Sequence, residues 1–162
     1  MRAYIVGVFL AAALCSSSTF AGVPVTAAQA AAEIEARGPA AFLAGLTPDQ
    51  IDQLYEHFDG GDAAWLAIVP KLAAVADGAN AEGLTISLAF ALPKNAKAVL
   101  AITTVPDGVL AAQRVCSMPF IEDTMANRPA YRRKALVAVK KVKEQSLAAV
   151  KEACLATLKR SN

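Results

Sequence analysis

Ala81-Glu82-Gly83-Leu84-Thr85-Ile86-Ser87-Leu88-Ala89-Phe90-Ala91-Leu92 places Leu84, Leu88 and Ala91 on one side of a helical wheel and Ile86 and Phe90 on the other. A helix with apolar residues all round has no face to give to water, so it is buried. This stretch is expected to be the central helix, with other helices packed on both of its sides. Asp77-Gly78 precedes it and Pro93-Lys94-Asn95 follows it, and both are breaker clusters that separate helices.

Upstream, Ala-rich residues 26–37 are stopped by Gly38 and Pro39, and a short piece follows at 40–46. Thr47-Pro48-Asp49-Gln50 is a helix start, with Thr47 as cap, Pro48 at the first helical position and Gln50 closing a capping box. The helix it opens carries Ile51, Leu54, Tyr55 and Phe58 at spacings of three and four, hence on one face. Asp59-Gly60-Gly61-Asp62 reads as a turn in which glycine supplies the left-handed conformation and Asp62 caps the next helix. It lacks the ligand spacing of a calcium loop. The following helix aligns Trp65, Ile68, Val69, Leu72 and Ala76, with a kink expected near Pro70 because proline has no amide to donate.

Downstream, Pro106-Asp107-Gly108 is expected to introduce a helix running to about Cys116. Residues 117–127 lack helical periodicity and read as an extended connector across the core, with Phe120 and Ile121 plugging it. The competing reading makes Met118, Pro119, Phe120 and Ile121 a partner-binding loop. Tyr131, Ala135, Ala138, Val139 and Val142 form a narrow apolar face; Leu147, Val150, Cys154 and Leu158 form another, rotated by about 100°. A break is expected between Glu144 and Ser146.

Hydrophobic residues make up 56% of the chain and aromatic ones 6%, with alanine, the strongest helix former, predominant. The fold class is therefore all-α: a compact bundle of about six to eight short helices, or HEAT-like stacked helical hairpins, closed by one disulfide. The pairs of short helices between capped turns resemble HEAT-type solenoids, and Val69-Pro70-Lys71 is loosely echoed by Leu92-Pro93-Lys94.

Met1 and Arg2 precede an apolar run of eleven residues from Tyr4, and a small, polar stretch ends in Ala21. That is the plan of a cleavable signal peptide, and it falls short of the roughly 20 residues of a membrane span. Residues 1–21 are expected to be removed, leaving 22–162 as a single all-helical domain in the periplasm. Leu14 before Cys15 does not suit a lipoprotein signal. Cys116 and Cys154 then remain in an oxidising compartment and are expected to pair, a loop closure worth about 4 kcal/mol.

Charge is divided along the chain. Residues 128–160 hold ten Lys and Arg against two Glu, whereas 22–127 hold five against twelve Asp and Glu. Arg132, Arg133, Lys134, Lys140, Lys141 and Lys143 surround the first C-terminal apolar face and are candidates for contact with an anionic partner. Nucleic acid is not expected, because no stacking aromatics are interleaved with these charges.

The chain has no G-x-S-x-G, H-E-x-x-H, P-loop or C-x-x-C, and its one histidine, His57, lies off the apolar face of its helix, where it is expected to meet solvent. No catalytic residue, cofactor or metal is assigned. The leading expectation is a non-enzymatic periplasmic interaction protein that binds another protein or peptide, of inhibitor or immunity type. The alternatives are an envelope-surface protein resting on anionic lipid or lipopolysaccharide through the basic helix, and a small peptidoglycan-acting enzyme using carboxylates drawn from Glu82, Glu122 and Asp123.

Overall fold

Thr26 and Thr47 open their helices by the same chemistry. Each threonine hydroxyl accepts the amide of the residue three positions on, Gln29 or Gln50, and that glutamine's side chain accepts the threonine amide in return. In the computed structural model, which describes residues 26–121 and 125–161, these are α1 (Ala27–Arg37) and α3 (Pro48–Asp59), with α2 (Pro39–Ala44) between them. The signal-peptide reading, Glu122 and Asp123 lie outside the described residues.

Gly61, at φ +75°, makes the turn after α3, and Asp62 caps α4 (Ala63–Leu66) by accepting the amides of Ala64 and Trp65. The kink expected near Pro70 is a complete interruption. With no amide at Pro70, the helix ends at Leu66 and resumes as α5 (Val69–Ala73). His57 also departs from expectation: its ring is half-buried and stacked on Trp65, with centroids 4.1 Å apart and planes 3° from parallel. Its wheel position lies off the Leu54–Phe58 face, but the turn at 60–62 folds α4 back beside it.

α6 (Gly78–Ala91) is the centre of the molecule. Ala81, Leu84, Thr85, Ser87, Leu88, Ala89 and Ala91 are buried, and α3, α5, α7 (Ala96–Ile102) and α8 (Ala112–Val115) pack against it. Wholly buried leucines such as Leu54, Leu72, Leu84, Leu88 and Leu100 line the surrounding core, each worth about 2 kcal/mol over an exposed position. α3 meets α6 across the intervening α4 and α5, so elements distant in the chain are brought together as in a bundle.

The helix expected from Pro106 is one turn only, α8. Gly108 at φ +115° and paired Thr104–Leu110 and Ala112–Thr104 backbone hydrogen bonds make 104–111 a turned loop, which Thr85 ties to α6 by donating to the Val109 carbonyl. In the connector, Met118 and Phe120 are 2% and 7% exposed, while Ile121 is 60% exposed. Ile121 is thus not the core plug expected, because neighbouring side chains of an extended segment point to opposite sides. Arg128 holds this segment by donating to the carbonyls of Met118 and Phe120 at 2.9 and 3.3 Å.

α9 (Arg128–Lys141) buries Tyr131, Ala135 and Val139, and the Tyr131 hydroxyl donates to the Ala89 carbonyl of α6 at 2.7 Å. The chain then breaks at 142–147, ending in a 3-10 turn at Gln145–Leu147, before α10 (Ala148–Arg160). This break rotates the apolar stripe so that α10 buries Cys154, Leu155 and Leu158 against α8 and α9. Cys116 and Cys154 form a disulfide, with both residues wholly buried. The described residues thus form a compact all-α fold in which α1, α3, α6, α7, α9 and α10 are the helices of seven residues or more.

Candidate functional site

On α9, Arg133, Val137 and Lys141 follow one another at spacings of four, and Lys134 and Ala138 form the adjacent row. Both rows face the start of α7, where Asn95 caps the helix by accepting the Ala98 amide and is itself fastened to the Gly61 carbonyl. Between the two walls runs an open groove of about 730 Å³, within the range of ligand sites. Pro93, Ala96, Val137, Ala138 and Val142 supply its apolar lining. Lys94, Lys97, Arg133, Lys134, Lys141 and Lys143 surround it, with Glu144 the one carboxylate.

The groove therefore gathers Arg133, Lys134, Lys141 and Lys143 of the basic residues expected from sequence. Arg132 and Lys140 are not among its lining residues, and Arg132 donates instead to the Lys159 carbonyl. Lys94 and Lys97 were not legible as members, since they lie about forty residues upstream in the acidic part of the chain. Only the packing of α7 on α9 adds them.

The cations differ in how far they are engaged. Lys94 donates to the Asp59 carbonyl at 2.7 Å, and Lys97 pairs with Glu144 at 2.7 Å. The side chains of Arg133, Lys134, Lys141 and Lys143 make no hydrogen bond or ion pair with any described residue. Val137, at the middle of their row, is 54% exposed. The hydrogen bond from Lys97, followed by contacts with backbone amides, holds the Glu144 carboxyl below the ordinary glutamate range.

A second groove, of about 710 Å³, lies between α3 and α6 and is acidic: Asp52, Glu56, Asp59 and Glu82 surround Ile51, Tyr55, Ile86 and Ile121. Here Tyr55 and Ser87 are internally engaged, while the carboxylates of Asp52, Glu56 and Glu82 make no hydrogen bond or ion pair with any described residue. The Tyr55 hydroxyl donates to Asn80, and the ring lies so close over Gly83 that a Cβ there would sit 2.4 Å from it. Burial raises the Asp59 carboxyl, with the Ser87 hydroxyl and Lys94 pulling the other way; its Oδ1 is buried without a partner among the described residues.

Of the suggested partner loop, Met118 and Phe120 belong to the core, Phe120 lying between Phe90 and Tyr131 with centroids 4.8 and 4.7 Å away. Pro119 is half-buried and lines a smaller pocket with Glu82 and Arg114, and Ile121 reaches the acidic groove. Glu82 also lines that groove. Among the described residues no three His, Cys, Asp or Glu side chains are placed to hold a metal ion, and no helix is long and apolar enough to cross a membrane. No family model, no curated protein and no solved structure matches the chain, so its site stands on its own geometry.

Proposed function

We propose that the protein is a non-enzymatic binding protein of the bacterial periplasm that takes a segment of another protein in the groove between α7 and α9, as an inhibitor or immunity-type protein does. The observation that carries this reading is a set of four cations, Arg133, Lys134, Lys141 and Lys143, that make no hydrogen bond or ion pair among the described residues and are arranged about an exposed apolar strip. Their arrangement round a concavity suits a chain segment lying between two helices better than it suits a flat layer of lipid headgroups. Export rests on the N-terminal leader pattern, with which a disulfide is compatible.

The test compares wild type with Arg133→Glu/Lys141→Glu in affinity capture from periplasmic extract, read by quantitative mass spectrometry. A partner recovered by wild type and depleted at least tenfold by the charge reversal is expected. Recovery that ignores the reversal would refute the groove. Wild-type binding to phosphatidylglycerol vesicles but not phosphatidylcholine, without such a partner, would replace this reading with the lipid one.

A further inference from the structure

Glu144 already occupies the groove as a ligand would. It comes from the break between α9 and α10, and its carboxylate reaches Lys97 on α7 at 2.7 Å while accepting the Lys143 amide at 3.1 Å. Six Lys and Arg side chains line the groove with this one carboxylate, which pairs with Lys97, so among the described residues cationic charge is in excess there. Lys97 is exposed and Glu144 partly so, and such a solvent-screened pair is weak, so an incoming anion can displace it at little cost. The bound group is a carboxylate, and the floor beside it is Val137 and Ala138, small apolar surfaces suited to side chains.

We infer that the occupant is an acidic peptide segment, one carboxylate of which takes the place of Glu144 on Lys97 while an apolar side chain rests on Val137 and Ala138. This rests on the groove being the partner site proposed above. Glu144 is then a built-in competitor: it keeps Lys97 oriented in the free protein and gives way on binding. A phosphate-bearing surface meets the same cations but has no apolar side chain for the floor.

The test is a double-mutant cycle. A fluorescein-labelled peptide of alternating Glu and Leu is titrated by anisotropy against the whole protein and against Glu144→Gln, Lys97→Met and the double variant. Glu144→Gln is expected to tighten binding about threefold when Lys97 is present, the scale of releasing one exposed pair, and to change nothing in the Lys97→Met background. An equal gain in both backgrounds is a general field effect and overturns the displacement. If the peptide binds, weakens with Arg133→Ala, and ignores Glu144→Gln in both backgrounds, the groove stands and the inference fails. If no variant binds the peptide, the inference and the acidic choice of partner both fall. Glu144→Ala checks that the gain comes from losing the carboxylate, and thermal melts of all proteins are expected to differ little because the pair lies at the surface.

Discussion

The two grooves are close in volume and opposite in charge, and they adjoin where Lys94 of one donates to the Asp59 carbonyl of the other, yet their inner linings are used differently. Between α3 and α6, Tyr55 is bonded to Asn80 and pressed onto Gly83, and Ser87 lies buried between Asp59 and the Tyr55 carbonyl. Between α7 and α9, four cations make no hydrogen bond or ion pair among the described residues, and Val137 is exposed among them. Both rims carry charge directed outward. The first groove is floored by a packing seam; the second leaves an apolar side chain exposed among its charges.

The largest way to break the comparison is through the disulfide, which fastens α10 to α8 and so backs the α9 wall of the basic groove. Cys116→Ser/Cys154→Ser is expected to lower unfolding stability by about 4 kcal/mol, read by urea titration. A loss below about 1 kcal/mol would show that packing alone holds α10 in place.

The seam itself is tested at Gly83. Gly83→Val forces the Tyr55 ring away from α6, and the overpacking is expected to cost about 2 kcal/mol. Affinity for the acidic peptide should not change. Unaltered stability would mean that Tyr55 does not need its seat on α6, and a parallel loss of affinity would show that the grooves are coupled.

A smaller separation comes from pH. The Tyr55 hydroxyl is pushed up to about 12, by burial and then by the Asp52 charge. A raised folded value stabilises fully below the ordinary tyrosine value and is lost as pH rises through the folded one. Alkali should therefore weaken the seam by about 1 kcal/mol one unit above the ordinary value of about 10. Tyr55→Phe should remove that part of the alkaline loss, and an unchanged profile would refute the assignment. The Glu144 carboxyl is held low instead, so its contribution is present above its unfolded value and disappears as pH falls through the folded one. That acid-side change is the smallest, because the pair lies at the surface, where solvent screens it.

Much of the architecture could be read from local chemistry. The capping box at Thr47, the turn at Gly60-Gly61-Asp62 and the break before α10 follow from residues within a few positions of each other, as does the burial of the stretch centred on Leu88. Local rules misled where competing contacts decided. A helix was expected from Pro106, but Thr104 pairs across the loop with Leu110 and Ala112, leaving one turn at 112–115. His57 looked solvent-facing on its own helix, yet a neighbouring helix brings Trp65 beneath it. Half of the candidate site was legible as a basic helix; its other half, Lys94 and Lys97, was invisible because no local pattern joins it to residues forty positions away.

The sequence by itself determined that the chain is helical, where most helices begin and end, which stretch is buried on every side, and that the C-terminal region is basic. These are properties of propensity, capping and period, and they act over one or two turns. Only the tertiary structure decided which basic side chains share a groove, which are consumed by backbone carbonyls, and that Glu144 meets Lys97. Those outcomes depend on how helices far apart in the chain pack, and a one-dimensional pattern carries no distance between them.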